Sequence, residues 1–175
     1  YHPVKGLLTK REIRAGGNLV ATVQYNYDAN GRLREEAVTG PGLNGAVTRS
    51  FDARDRLESL AYGGEGVNFT YRNDGQVATK TCGGRKLTYQ YGAAAGQASL
   101  ARLTAISATD DLGGNPWGNA SIGYDGLGRV ASMNLPGGVS RVFAQRDASG
   151  RVKEMPETAG GVTEVFAYDY DLAKG

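Results

Sequence analysis

The chain has 175 residues, 27 of them glycine and 10 tyrosine, with 40% hydrophobic residues and a net charge of +2. That composition is too apolar for a disordered tail, and no run approaches the roughly 18 apolar residues of a membrane-spanning helix. The near-neutral balance gives no long-range field for nucleic acid or anionic lipid. One cysteine and one histidine exclude an internal disulfide framework and any metal site built from several such ligands.

In chain order, the first reversal signal is Gly16-Gly17, and the first complete motif is Tyr27-Asp28-Ala29-Asn30-Gly31-Arg32-Leu33. Asp at the first and Gly at the fourth position suit a type I turn that ends in a glycine bulge, and the Asp side chain can bond its own backbone two residues on. The motif returns as Phe51-Asp52-Ala53-Arg54-Asp55-Arg56-Leu57, with Asp55 in place of the glycine. After a Gly63-Gly64 turn, Val67, Phe69 and Tyr71 alternate with Asn68 and Thr70, which is strand periodicity. Tyr71-Arg72-Asn73-Asp74-Gly75-Gln76-Val77 is a weaker copy, with Gln76 in place of the arginine. Beyond Gly83-Gly84, Leu87, Tyr89 and Tyr91 alternate against Thr88 and Gln90. Tyr91 opens a truncated copy with Gly92 at the Asp position.

The stretch from about 92 to 120 is the least regular: an alanine-rich loop, a strand-like Leu103 to Ile106, then Asp110 to Gly118 including Trp117. It reads as a lengthened hairpin connection, and because loops carry function on repeat scaffolds it is the first place to look for a binding feature. Regular copies resume with Tyr124-Asp125-Gly126-Leu127-Gly128-Arg129-Val130. Past Gly137-Gly138 comes Arg146-Asp147-Ala148-Ser149-Gly150-Arg151-Val152, in which Arg146 replaces the tyrosine. Gly160-Gly161 precedes a last truncated copy at Tyr168-Asp169. Successive copies start 24, 20, 20, 33, 22 and 22 residues apart, so one unit is about one hairpin long. The expectation is all-β: antiparallel β-hairpin repeats in one array over residues 1–175, about seven units, with little room for helix.

Aromatic residues at equivalent sites of successive hairpins are expected to form a ladder. The arginines Arg32, Arg56, Arg129 and Arg151 are expected to stack on an aromatic face or pair with the carboxylate of their own or a neighbouring copy. The glycines Gly31, Gly75, Gly128 and Gly150 are expected in the left-handed conformation, with Asp55 tolerating it at its position.

The repeated Tyr-Asp-x-x-Gly-Arg-Leu/Val phrase, over about Leu19 to Asp171, resembles the YD repeat of the rearrangement-hot-spot, or Rhs, proteins. That family includes polymorphic bacterial toxins, shell-forming components of insecticidal toxin complexes, and teneurin adhesion receptors. The resemblance implies a spiralling hairpin ribbon, an open arc of a hollow shell; about seven units without an obvious cap at either end are expected to be an excerpt of a longer array or a processed piece. The resemblance also implies a bacterial, secreted or cell-surface protein. The expected partners are adjoining repeats and an enclosed toxin polypeptide, with self-association through open sheet edges. The Asp-Pro-x-Gly-Leu type motif that marks self-cleavage in Rhs toxins is absent, so neither self-cleavage nor toxin activity is assigned to these residues.

Catalytic candidates are weak. Cys82 has no histidine near it in sequence, since His2 lies outside the repeats. Asp110, Asp111 and Asn115, or Asp28 and Asn30, superficially suggest calcium but lack the spacing and closing Glu of a calcium loop. Glu35 and Glu36 are adjacent strand residues and point to opposite faces. The chain is therefore read as a non-enzyme with no cofactor and no metal. The alternative is an adhesion module binding glycan or protein through its loops, with Trp117 as the candidate sugar-stacking residue.

Overall fold

The structure is a computed structural model that describes residues 6–94, 97–110 and 118–170. It divides into two compact units, Tyr1–Gly84 and Arg85–Gly175. Among the described residues all regular structure is strand. No helix among them is long and apolar enough to cross a membrane.

The first unit holds β1 (Lys10–Ala15), β2 (Asn18–Tyr27), β3 (Leu33–Gly40), β4 (Leu43–Phe51), β5 (Leu57–Tyr62), β6 (Glu65–Tyr71) and β7 (Val77–Cys82). Each pairs antiparallel with the next. The second unit repeats the scheme with β8 (Arg85–Ala94), β9 (Gln97–Asp110), β10 (Gly118–Tyr124), β11 (Val130–Leu135), β12 (Val139–Val142), β13 (Gln145–Arg146), β14 (Val152–Ala159) and β15 (Val162–Ala167). Its β12 and β13 are two halves of one interrupted strand, and both pair with β14.

Two kinds of turn alternate. At one end of the hairpins Gly-Gly pairs close two-residue turns, as between Tyr62 and Glu65, where Gly63 and Gly64 have φ of 61° and 89°. Positive φ at both centres is the type I′ geometry that matches strand twist. At the other end lie the motif turns, each beginning with a skip in register just before the motif's first residue: between Asn26 and Tyr27, Ser50 and Phe51, Thr70 and Tyr71, Gln90 and Tyr91, Gly123 and Tyr124, and Gln145 and Arg146. At the complete copies the bulge follows from a tight turn closing on a left-handed residue, and at Tyr71 it forms without the leading aspartate.

The stretch expected to be an irregular connection is largely strand, because β9 runs through it. Tyr91 pairs with Leu103, and Gly92 with Arg102. Arg102-Leu103 is thus the second half of the Tyr91 copy, moved downstream by an insertion within the turn. Trp117, Asp111, Asn115, His2 and Asp171 lie outside the described residues.

The register sorts side chains in the first unit into two unlike faces. Val23, Tyr25 and Tyr27 share a face with Val38, Val47, Phe51, Leu60, Tyr62, Val67, Phe69 and Tyr71. The other face carries Asn26, Glu35 and Thr48, then Ser50, Ser59, Asn68 and Thr81, then Thr70 and Thr79. Its polar groups bond across strands: Asn26 Nδ2 donates to Glu35 Oε2 at 2.7 Å, the Ser50 and Ser59 hydroxyls meet at 2.8 Å, and those of Thr70 and Thr79 at 2.6 Å. Among the described residues only Ala21 and Val23 are buried apolar side chains, so packing energy is spread over many half-covered groups.

Candidate functional site: interlocking motif turns

The motif aspartate organises each complete turn. The backbone N–H of Asp125 donates to Arg129 O at 2.8 Å, and that of Gly128 to Asp125 O at 2.8 Å. Asp125 Oδ1 accepts from the N–H groups of Leu127 and Arg129, both at 2.9 Å, while Oδ2 accepts from Arg129 Nε at 2.7 Å. One carboxylate thus satisfies two turn amides and fixes one guanidinium. Asp28, Asp52 and Asp147 make the same three bonds, Asp28 with Asn30 and Arg32, Asp52 with Arg54 and Arg56, and Asp147 with Ser149 and Arg151. In Asp28 the largest influence is partial burial, which pushes the carboxyl up, yet the bonds from Arg32 and Asn30 outweigh it and hold it below the usual range. Asp147 behaves alike through Arg151 and Ser149. In Asp52 the side-chain bond from Arg56 leads, and in Asp125 the backbone bond from Arg129, again with a net lowering.

Gly31, Gly75, Gly128 and Gly150 have φ of 81°, 90°, 75° and 83°, and Asp55 has 64° at the equivalent place. Asp55 is the one positive-φ non-glycine among the described residues. Its carboxylate pairs with Arg32 of the preceding turn, an attraction that offsets part of its backbone strain.

Successive copies are fastened by two contacts that repeat along the chain. First, the motif tyrosine donates its hydroxyl to the carbonyl that ends the previous copy: Tyr71 to Leu57 O at 2.7 Å and Tyr124 to Leu103 O at 2.8 Å. Tyr27 does the same to Leu8 O at 2.8 Å, two residues beyond Gly6 with φ 62°, so Gly6 and Leu8 stand where a further copy would have its Gly and Leu. Second, the arginine of one copy lies over the aromatic ring of the next. Arg32 is 4.6 Å from the Phe51 ring centre, Arg56 4.3 Å from Tyr71, Arg102 5.5 Å from Tyr124 and Arg151 4.4 Å from Tyr170. Each such contact contributes about 0.5–1 kcal/mol where exposed. The rungs of the ladder are therefore guanidinium on ring.

Both contacts single out Tyr170, whose hydroxyl donates to Val152 O at 2.7 Å, as the tyrosine of the last copy, two residues after Tyr168. The backbone N–H of Tyr168 bonds Lys153 O, and the side chain of Asp169 is exposed. Of the remaining candidates, Asp28 and Asn30 form an Asx turn, Glu35 and Glu36 take opposite faces, and Cys82 is exposed at the end of β7. No three His, Cys, Asp or Glu among the described residues are placed to hold a metal ion. The arrangement fastens hairpins in series. Sequence reasoning missed its direction from copy to copy, although the constant motif length implies a constant offset.

The geometry defines a class, an antiparallel hairpin-repeat sheet with interlocked YD turns. Solved structures similar to it include those of Tc toxins. The chain superposes on a TcdB2-TccC3-TEV crystal structure with a TM-score of 0.61 and 16% identity, covering 79% of this chain and 7% of that one. A Photorhabdus luminescens Tc holotoxin pore gives a TM-score of 0.55 at 13% identity over 85% of this chain and 10% of that one. The TcdB2-TccC3 crystal structure gives 0.55 at 12% over 86% and 10%. The chain thus spans a tenth or less of the length of each. No family model and no curated protein matches it.

Proposed function

We propose that the chain is a non-catalytic wall segment of an Rhs/YD-repeat shell that encloses or presents a toxin polypeptide, in a bacterial protein that is secreted or at the cell surface. The observation that carries this reading is the fastening of each motif turn to the one before it. It extends a sheet hairpin by hairpin and leaves no convergent acid–base set at the motif residues. The likeness to segments of Tc toxin structures supports the same reading at the level of fold. Containment is then a matter of geometry: a wall separates its cargo from the surroundings without chemistry of its own. Among the described residues β15 pairs with β14 alone, and its Val162 and Val165, about two-thirds exposed, offer apolar side chains to a neighbouring strand.

The test is the mass of the purified chain in solution, combined with glycan-binding and hydrolase screens. Concentration-dependent self-association with neither activity is the expected result. A stable monomer that binds one glycan class, and loses it on Trp117→Ala, would replace this reading with an adhesion module.

A further inference from the structure

The copy that begins at Arg146 differs from the others in a way that leaves a charge unanswered. Arg146 stands at the motif tyrosine's position and does the tyrosine's work, since its Nη2 donates to Val130 O at 2.5 Å, the carbonyl that ends the previous copy. Its Nη1 donates to Gly150 O at 2.9 Å within its own turn. The guanidinium lies 6.0 Å from the Phe143 ring centre, at the outer limit of a useful cation–π contact. Among the described residues it forms no ion pair, so the hydrogen bonds of a half-buried cation go to neutral carbonyls.

The consequence falls on Arg129. Arg32, Arg56, Arg102 and Arg151 are each covered by the aromatic ring of the next copy, whereas the copy after Arg129 has Arg146 in place of that ring. Both reach the same turn: Arg129 Nη1 lies 3.2 Å from where a side chain on Gly150 would begin, and Arg146 Nη1 bonds the Gly150 carbonyl. Between them opens a cleft of about 470 Å³ lined by Asp125, Arg129, Val142, Phe143, Ala144 and Arg146. Asp125 is committed to Arg129 through Nε, which leaves the cleft with one positive charge in excess.

Partly desolvated like charges lining one cleft are unfavourable without a counter-charge, and guanidinium forks match a planar carboxylate in two-point hydrogen bonds. Val142 and Phe143 supply apolar surface suited to the methylenes that carry such a group. We propose that the cleft between Arg129 and Arg146 is a seat for a carboxylate, namely an acidic side chain of the polypeptide the wall faces; that choice of ligand rests on the shell reading.

The test uses the 175-residue chain and a fluorescein-labelled hexaglutamate peptide, followed by anisotropy at low salt. Hexalysine serves as a control and inorganic phosphate as a competitor. The decisive variant is Arg146→Tyr, which restores the motif's ring and its bond to Val130 O while removing the charge. Hexaglutamate binding should weaken about tenfold or more in that variant with the melting temperature held. Arg11→Gln, which removes a positive charge from the exposed β1, should change binding by less than about twofold. If Arg146→Tyr does not fold, Arg146→Gln keeps an N–H donor, drops the charge and should show the same loss. Undiminished binding by the neutral variant, an equal loss in Arg11→Gln, or binding of phosphate but not the peptide would each overturn the proposal. Self-association of the chain is measured separately by mass, so loss of the seat leaves the wall reading standing and failure of the wall reading shows there first.

Discussion

The turn at Asp125 and the turn at Arg72 have the same backbone and different side chains. In the first, Asp125 N–H meets Arg129 O at 2.8 Å and Gly128 N–H meets Asp125 O at 2.8 Å; in the second, the corresponding bonds from Arg72 to Gln76 and from Gly75 to Arg72 are 2.8 and 3.1 Å. Asp125 also braces its turn with three side-chain bonds. The Arg72 turn borrows Asp74 instead, which accepts from Gln76 N–H at 3.2 Å and pairs with Arg72 Nε at 3.2 Å. The path of the chain is thus set by the left-handed residue and two backbone bonds, and the aspartate adds rigidity and a fixed arginine. Yet Tyr71, which opens the divergent copy, still clasps Leu57 O and still lies under Arg56. Connection to the preceding copy survives when the turn's own bracing does not.

The sharpest way to break this comparison is to remove the clasp from the divergent copy. Tyr71→Ala should destabilise by about 2–4 kcal/mol, since it deletes a half-buried ring, its hydroxyl bond and the surface on which Arg56 rests. An unchanged urea midpoint would mean that the clasp carries no weight. The backbone half is tested at Gly128, where φ is 75°: Gly128→Val should cost about 1–3 kcal/mol and more than Gly128→Ala, with urea melts giving both. Equal costs would locate the demand in side-chain space. Tyr71→Phe isolates the hydroxyl and should cost about 0.5–1.5 kcal/mol in the same assay, while keeping the ring under Arg56.

The smallest effect concerns the bracing carboxylates. Asp28, Asp52, Asp125 and Asp147 are held below their ordinary range in the folded chain. The unfolded chain therefore binds these protons more readily. Their stabilisation is present above an unfolded pKa of about 3.9 and is lost as pH falls through the lower folded values. Asp125→Asn should lower the midpoint at neutral pH and flatten its fall in acid relative to the unsubstituted chain. Chemical denaturation at a series of pH values measures both effects.

Much of the fold was legible because the motif carries its own turn chemistry. Asp, Gly and the Gly-Gly pairs act within four residues, so a local reading reaches the hairpins and even the positive φ at Asp55. The clasp was not legible, because it joins residues 14 to 21 positions apart, and nothing local says that a tyrosine hydroxyl will find the preceding leucine carbonyl. An insertion hid Arg102-Leu103 as the second half of the Tyr91 copy. The doublet Tyr168-Asp169-Tyr170-Asp171 offers two starts of equal local merit, and only the long-range bond to Val152 O distinguishes them. Arg146 reads in the sequence only as a replacement of the tyrosine, because chemical equivalence between a phenol and a guanidinium appears only once both are seen to reach the same kind of carbonyl. The division into an apolar face and a hydroxyl-bearing face depends on register, which the bulges reset at every motif turn.

The clasp also has a direction: where a copy opens on a donor, it reaches back to the copy before it and no further than that neighbour. Within each unit, stability is then a sum of hairpin terms and coupling terms, as in a row of linked two-state elements. Such a row has no single core whose loss unfolds everything at once. Hairpins can melt singly, and amide hydrogens should exchange in blocks that correspond to copies of the motif. Evolution gains the same freedom: a copy can be duplicated, deleted or stretched, as the Tyr91 copy has been, provided that the incoming residue still offers a donor to the carbonyl behind it or, as Phe51 does, a ring to the arginine behind it.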